Sequence, residues 1–255
     1  MLLTLSNLAY LRSSTIPELT AIFESNFSTT LTDESATIRD VLSQIDSRLF
    51  ESYIKPSCNT LKKLISTAIA SPDWPPPRDV KPTQARPYVN EALLSLVLIH
   101  TQVSTTASSL THQILSYLLE EISLTLLSAF KARRNFHLTS LMQATLDVEF
   151  ISQTLSQYTT EKAGALQGQI YQELDKETDM EARKQLQSEL PGMRAALKKL
   201  REGCRGEFAC FKKVRKEGER ERRGGSGGSG QGGGSGTRGV RGQSVNSNGG
   251  RGNMM

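Results

Sequence analysis

The stretch LMQATLDVEFISQTLSQY, Leu141–Tyr158, decides how the chain is read. At roughly 100° per residue, Leu141, Ala144, Val148, Ile151, Leu155 and Tyr158 fall in one arc, spaced three and four apart. Met142, Leu146 and Phe150 form a second stripe with the same period, centred at about 140° on that wheel. A helix with two apolar sides packs between neighbours in a bundle. The stretch also holds two carboxylates two residues apart, Asp147 and Glu149. They lie near about 240° and about 80°, on nearly opposite sides of the helix. Acid and base catalysis requires two carboxylates to converge on one substrate. Asp147 and Glu149 are therefore expected to be solvated or ion-paired at the margins of the stripes, and not catalytic.

Helical signals dominate on either side. In STIPELTAIFESNF, Ser14 or Thr15 stands where an N-cap would, and Pro17 falls in the first turn, where its missing N–H costs nothing. In IRDVLSQIDSRLFESYIKP the residues Ile38, Val41, Leu42, Ile45, Leu49 and Tyr53 mark one helical face, which Pro56 is expected to interrupt. A further short helix follows through Leu61, Leu64, Ile65, Ala68 and Ile69. Ser71–Pro87 then holds six of the nine prolines, too many for a helix or a central strand, and reads as an extended connector. Trp74, the only tryptophan, sits there. Its expected task is to pin the connector to a bundle; an anchor for a partner is the alternative. VNEALLSLVLIHTQVS is apolar on several sides and reads as a helix inside the bundle. HQILSYLLEEISLTLLSAFKARR follows with its stripe through Ile114, Leu115, Leu118, Leu119, Ile122 and Leu126. Thr178 and Glu181 have capping-box spacing, and Pro191–Gly192 mark a kink or a restart.

The fold class is thus all-α, divided at 1–70, 71–87, 88–216 and 217–255. The last segment has a composition of Gly, Ser, Arg and Asn that cannot bury enough apolar surface to offset its ordering entropy, so it is expected to be disordered. Charge divides along the same line. Residues 205–255 carry 11 Lys/Arg and 4 Asp/Glu, whereas residues 1–204 carry 20 and 22. The basic character belongs to the tail, and the helical part offers no basic groove. The basic stretch Lys212–Arg223 could make weak contact with anionic lipid, although Glu217, Glu219 and Glu221 interrupt it. Arg-Gly steps at Arg223, Arg238, Arg241 and Arg251 leave an RNA-associated protein as the alternative function. They are sparse and carry no aromatic residues between them, so nucleic acid is not the expected partner.

Chemical signatures fail one by one. The chain has no GxxxxGK[ST], GxSxG or HExxH, and no GxGxxG after a strand. Cys58, Cys204 and Cys210 form no CxxC, and His100, His112 and His137 lie far from them in sequence. No metal, cofactor or catalytic site is expected. The longest nearly apolar run, Ala92–Ile99, is far shorter than the roughly 20 residues of a membrane span, and the N-terminus has no secretion signal.

Several long segments carry a resemblance, in order: LTDESATIRDVLSQIDSRLFESYIKP, ARPYVNEALLSLVLIHTQVSTTASSLTHQILSYLLEE, LMQATLDVEFISQTLSQYTTEKA and EFACFKK. Together they resemble the C-terminal part of the Sec-five subunit family of the exocyst, in its filamentous-fungal form, over residues 1–213. The resemblance implies an elongated rod of stacked antiparallel helical bundles. It implies a non-enzymatic subunit that assembles with the other exocyst subunits to tether secretory vesicles before SNARE-mediated fusion. The place implied is the cytoplasm, peripheral to the plasma membrane at sites of polarised secretion. The family brings no catalytic residues. Its members are several times longer, and their N-terminal coiled-coil region and the animal proteins' small-GTPase-binding domain have no counterpart here. The chain is expected to be a C-terminal portion whose role rests on helical surfaces.

Overall fold

The three-and-four spacing of apolar residues becomes helix along nearly all of the chain that the computed structural model describes, residues 1–133, 136–178 and 180–212. The helices are α1 (Leu2–Tyr10), α2 (Ile16–Phe27), α3 (Thr32–Ala70), α4 (Pro87–Thr106), α5 (Thr111–Ala132), α6 (Leu138–Thr154), α7 (Glu161–Lys176) and α8 (Met180–Gly203). Among the described residues, the one β feature is an isolated bridge between Phe136 and Thr178. The fold is all-α. The described residues belong to one compact unit. The Gly-rich tail, and the basic stretch beyond Lys212, lie outside the described residues.

α5 is the centre of the packing. It lies against α3 and α7, and eleven of its residues are buried, Leu118, Leu119 and Ile122 among them. α6 packs against α4, α7 and α8 and is buried on almost every side, as its two stripes require. The ends are held by side chains from other elements. Arg133, just past α5, donates to the carbonyls of Ile69 and Ser71, which caps the C-terminus of α3. The Thr160 hydroxyl accepts from the Ala163 N–H at the start of α7 (3.1 Å) and donates to Glu120 on α5 (2.6 Å). Trp74 is only 3% exposed and packs against Phe130 and Phe136, with the Arg133 guanidinium 5.1 Å above its ring. The connector is pinned through Trp74.

Several local expectations give way to tertiary packing. α3 runs unbroken through Pro56 for 39 residues, about 58 Å. Ile54, Cys58, Leu61, Ile65 and Ile69 straddle the proline and are all buried, so their burial keeps both halves helical. Pro56 itself faces solvent, where the Ser52 carbonyl that loses its partner can meet water. Pro56→Ala is therefore expected to raise stability by about 1–3 kcal/mol. A thermal melt followed by circular dichroism measures this, and a lowered Tm would count against the assignment. α8 likewise continues through Pro191 and Gly192 without a restart. The Thr178 hydroxyl donates to the Leu174 carbonyl of α7, 2.5 Å away. Thr15 makes no side-chain cap to α2. α1 passes into α2 through one π-helical turn, Leu11–Thr15, which ends two residues before Pro17, a residue that lacks the N–H that a regular α turn would use.

α4 corrects the reading most clearly. It was expected inside the bundle, but α1, α3, α5 and α6 cover only part of it. Tyr88, Val89, Ala92, Leu93, Leu96 and Val103 are buried, while Leu94 is exposed and Leu98 is 73% exposed.

Candidate functional site

Two kinds of feature stand out from ordinary core packing: a buried carboxylate and unpartnered apolar faces. The carboxylate is Asp147. It is fully buried, which overturns its expected place in solvent or in an ion pair. Its two oxygens are held from three sides. Oδ1 accepts from the backbone N–H of Arg86 (3.0 Å) and from the Gln143 side-chain amide (2.9 Å). Oδ2 accepts from the Tyr88 hydroxyl (3.0 Å). Arg86 and Tyr88 flank the first residue of α4, so Asp147 reaches from α6 and fixes the junction of the connector with α4. The Gln143 amide also donates to the Gln84 carbonyl in the connector (3.0 Å). Burial raises the Asp147 carboxyl from its ordinary value to about 7, against the three hydrogen bonds that favour its charged form. Burial, followed by the charge of Asp147, pushes the Tyr88 phenol well above its usual range.

Glu149 leaves the same helix on another side. Its carboxylate accepts from the Tyr171 hydroxyl of α7 (2.8 Å) and from the Gln153 amide (2.9 Å). Burial and that bond raise the Tyr171 phenol. The two carboxylates serve separate interfaces, as the wheel required, and do not converge.

The histidines are structural in their surroundings. His100 stands edge-on to Phe211, and burial lowers its pKa. His112 approaches the Gln157 carbonyl (3.2 Å). His137, immediately before α6, lies 2.8 Å from the Ser140 hydroxyl. Sequence reading did not single out this Ser–His pair. It has the three-residue spacing of a helix start, and Ser140 is buried, which closes it to a substrate. Among the described residues, no three His, Cys, Asp or Glu side chains gather where a metal could bind, and the three cysteines are free. A cleft of about 680 Å³ opens between the C-terminal ends of α6 and α8, floored by Phe150 and Phe208. Arg201 on its rim donates to Gln153 (3.0 Å), and Lys212 donates to the Arg205 carbonyl (3.2 Å). Cations in this position complement the C-terminal dipole of α8.

The unpartnered faces lie on α4, at Leu94 and Leu98, and on the hairpin of α2 and α3. α2 buries none of its residues, and Leu19, Ile22, Phe23 and Phe27 are exposed, Phe27 at 68%. Ile38, Val41 and Ile45 of α3 are exposed as well. They share the stripe read from the sequence with Leu42, Leu49 and Tyr53, which are half-buried. Periodicity located the stripe but could not say which of its residues would be left uncovered.

Among the described residues, no helix is long and apolar enough to cross a membrane. The family model "Exocyst complex component Sec5" matches residues 1–211. Exocyst complex component 2 of Homo sapiens is 27% identical over 163 residues, which are 63% of this chain and 17% of that protein. The Mus musculus protein of the same name is 25% identical over 166 residues, 64% of this chain and 18% of that protein. Exocyst complex component 2 of Drosophila melanogaster is 25% identical over 163 residues, again 64% and 18%. The chain thus spans less than a fifth of the length of the curated relatives it matches. No solved structure matches it significantly. A family match over residues 1–211, on an all-α fold whose helices were legible in the same segments, places this chain in the exocyst complex component Sec5 family.

Proposed function

We propose that this chain acts as a non-enzymatic subunit of the exocyst, helping to hold secretory vesicles at the plasma membrane before SNARE-mediated fusion. The observation that carries the reading is the family match over residues 1–211, which takes in nearly every described residue. The chemistry agrees with it. Asp147 and Glu149 bind separate neighbours, and the Ser140–His137 pair is closed off. What remains exposed and distinctive is apolar helix surface, which suits assembly with other helical subunits. In this reading the partners are the other exocyst subunits, and the chain works in the cytoplasm, peripheral to the plasma membrane.

Affinity purification of the tagged chain from its own cells, followed by mass spectrometry, tests this. Recovery of other exocyst subunits is the expected result. A folded chain that comes away without any of them would refute the reading.

A further inference from the structure

We infer that the hairpin of α2 and α3 is an open seat for one helix of another protein. This deepens the proposed function and rests on it. The two helices run antiparallel across the Ser28–Leu31 turn, since Arg12 pairs with Asp46 (3.6 Å) and Glu24 accepts from the Leu31 N–H (2.7 Å). Thr20 and Glu24 on α2, and Leu42, Asp46 and Leu49 on α3, are the half-covered residues that face across the hairpin. Counting 100° per residue from them places Leu19, Phe23 and Phe27 to one side of the contact line on α2. Ile38, Val41 and Ile45 lie to one side of it on α3. In an antiparallel pair the two sides coincide, so all six line the same groove. They are large apolar side chains and all are exposed. Two helices presenting one apolar trough is the geometry that a third helix completes in a bundle.

Two observations choose the occupant. The 42 residues from Val214 onward carry only Val214, Val240, Val245, Met254 and Met255 as large apolar side chains, too few to fill the trough. A second copy would bring like charges together, because residues 1–51 hold three Lys/Arg against seven Asp/Glu, a net of −4. The charge of the hairpin instead selects a helix whose apolar stripe is bordered by Lys and Arg.

The test places a photo-crosslinking amino acid at Val41 in the full chain, in its own cells, with Gln44 on the far side of α3 as control. The expected product joins position 41 to a helical segment of another exocyst subunit, with Lys or Arg beside its apolar stripe. Position 44 gives no such product. The double substitution Phe23→Glu and Val41→Glu, at two solvent-exposed positions, is expected to lower recovery of that subunit at least tenfold with helical circular dichroism unchanged. Crosslinks to a second copy or to an acidic helix would overturn the inference. So would recovery of the other subunits with neither crosslink nor loss in the double variant; the proposed function would then survive without this groove. Recovery of no exocyst subunit at all would remove the proposed function and this inference together.

Discussion

Replacing Asp147 with alanine is expected to lower the free energy of unfolding by about 3–5 kcal/mol. The substitution leaves the Tyr88 hydroxyl, the Gln143 amide and the Arg86 N–H without their buried acceptor, and it opens a void beside them. The pH dependence separates this role from simple packing. The carboxyl titrates near 7 in the folded chain and near its ordinary value when unfolded. Between those two values the folded state holds a proton that the unfolded state has lost. The contribution of Asp147 is therefore greatest below the unfolded pKa and declines as pH rises through the folded one. Wild type is expected to lose about 2–3 kcal/mol between pH 5 and pH 8 from this group alone. Asp147→Asn keeps the shape and carries no charge, so its profile should be flatter by that amount. Urea unfolding of both chains at the two pH values measures the difference, and identical slopes would contradict the assignment.

Trp74→Ala carries the second large effect, about 3–5 kcal/mol. The indole fills the space between the connector and the aromatic pair Phe130 and Phe136, and it lies under Arg133, whose guanidinium also caps α3. Losing it uncovers both rings and loosens the cap. Trp74→Phe should recover a large part of the loss, because most of the stabilisation is apolar burial. Circular dichroism is the readout, since the variants remove the only tryptophan. A loss below about 1 kcal/mol for the alanine variant would mean that the connector is held by something else.

Most of the helices were legible because apolar spacing and tertiary burial agree. The stripe through Ile114, Leu115, Leu118, Leu119, Ile122 and Leu126 is fully buried. Disagreement arose where one local rule met a strong packing term. Pro56 breaks a backbone hydrogen bond, but five buried residues keep α3 helical across it. α4 has the composition of an interior helix, yet its environment leaves Leu94 and Leu98 in solvent, and no property of its own sequence could say so. Asp147 was missed for a related reason. The wheel gave its direction correctly, but its partners Arg86 and Tyr88 lie 61 and 59 residues away and meet it only after the connector folds back. The one local hint was Gln143, four residues earlier on the same face. The interface faces were hidden because an exposed stripe and a buried one have the same period.

The central claim is that the helical unit, and not the Gly-rich tail, meets the partners. Its most direct test compares residues 1–213 with the full chain in parallel affinity purifications after nuclease treatment, with the other exocyst subunits quantified in each. Equal recovery from both is the predicted result. Recovery that depends on residues 214–255 would contradict the account.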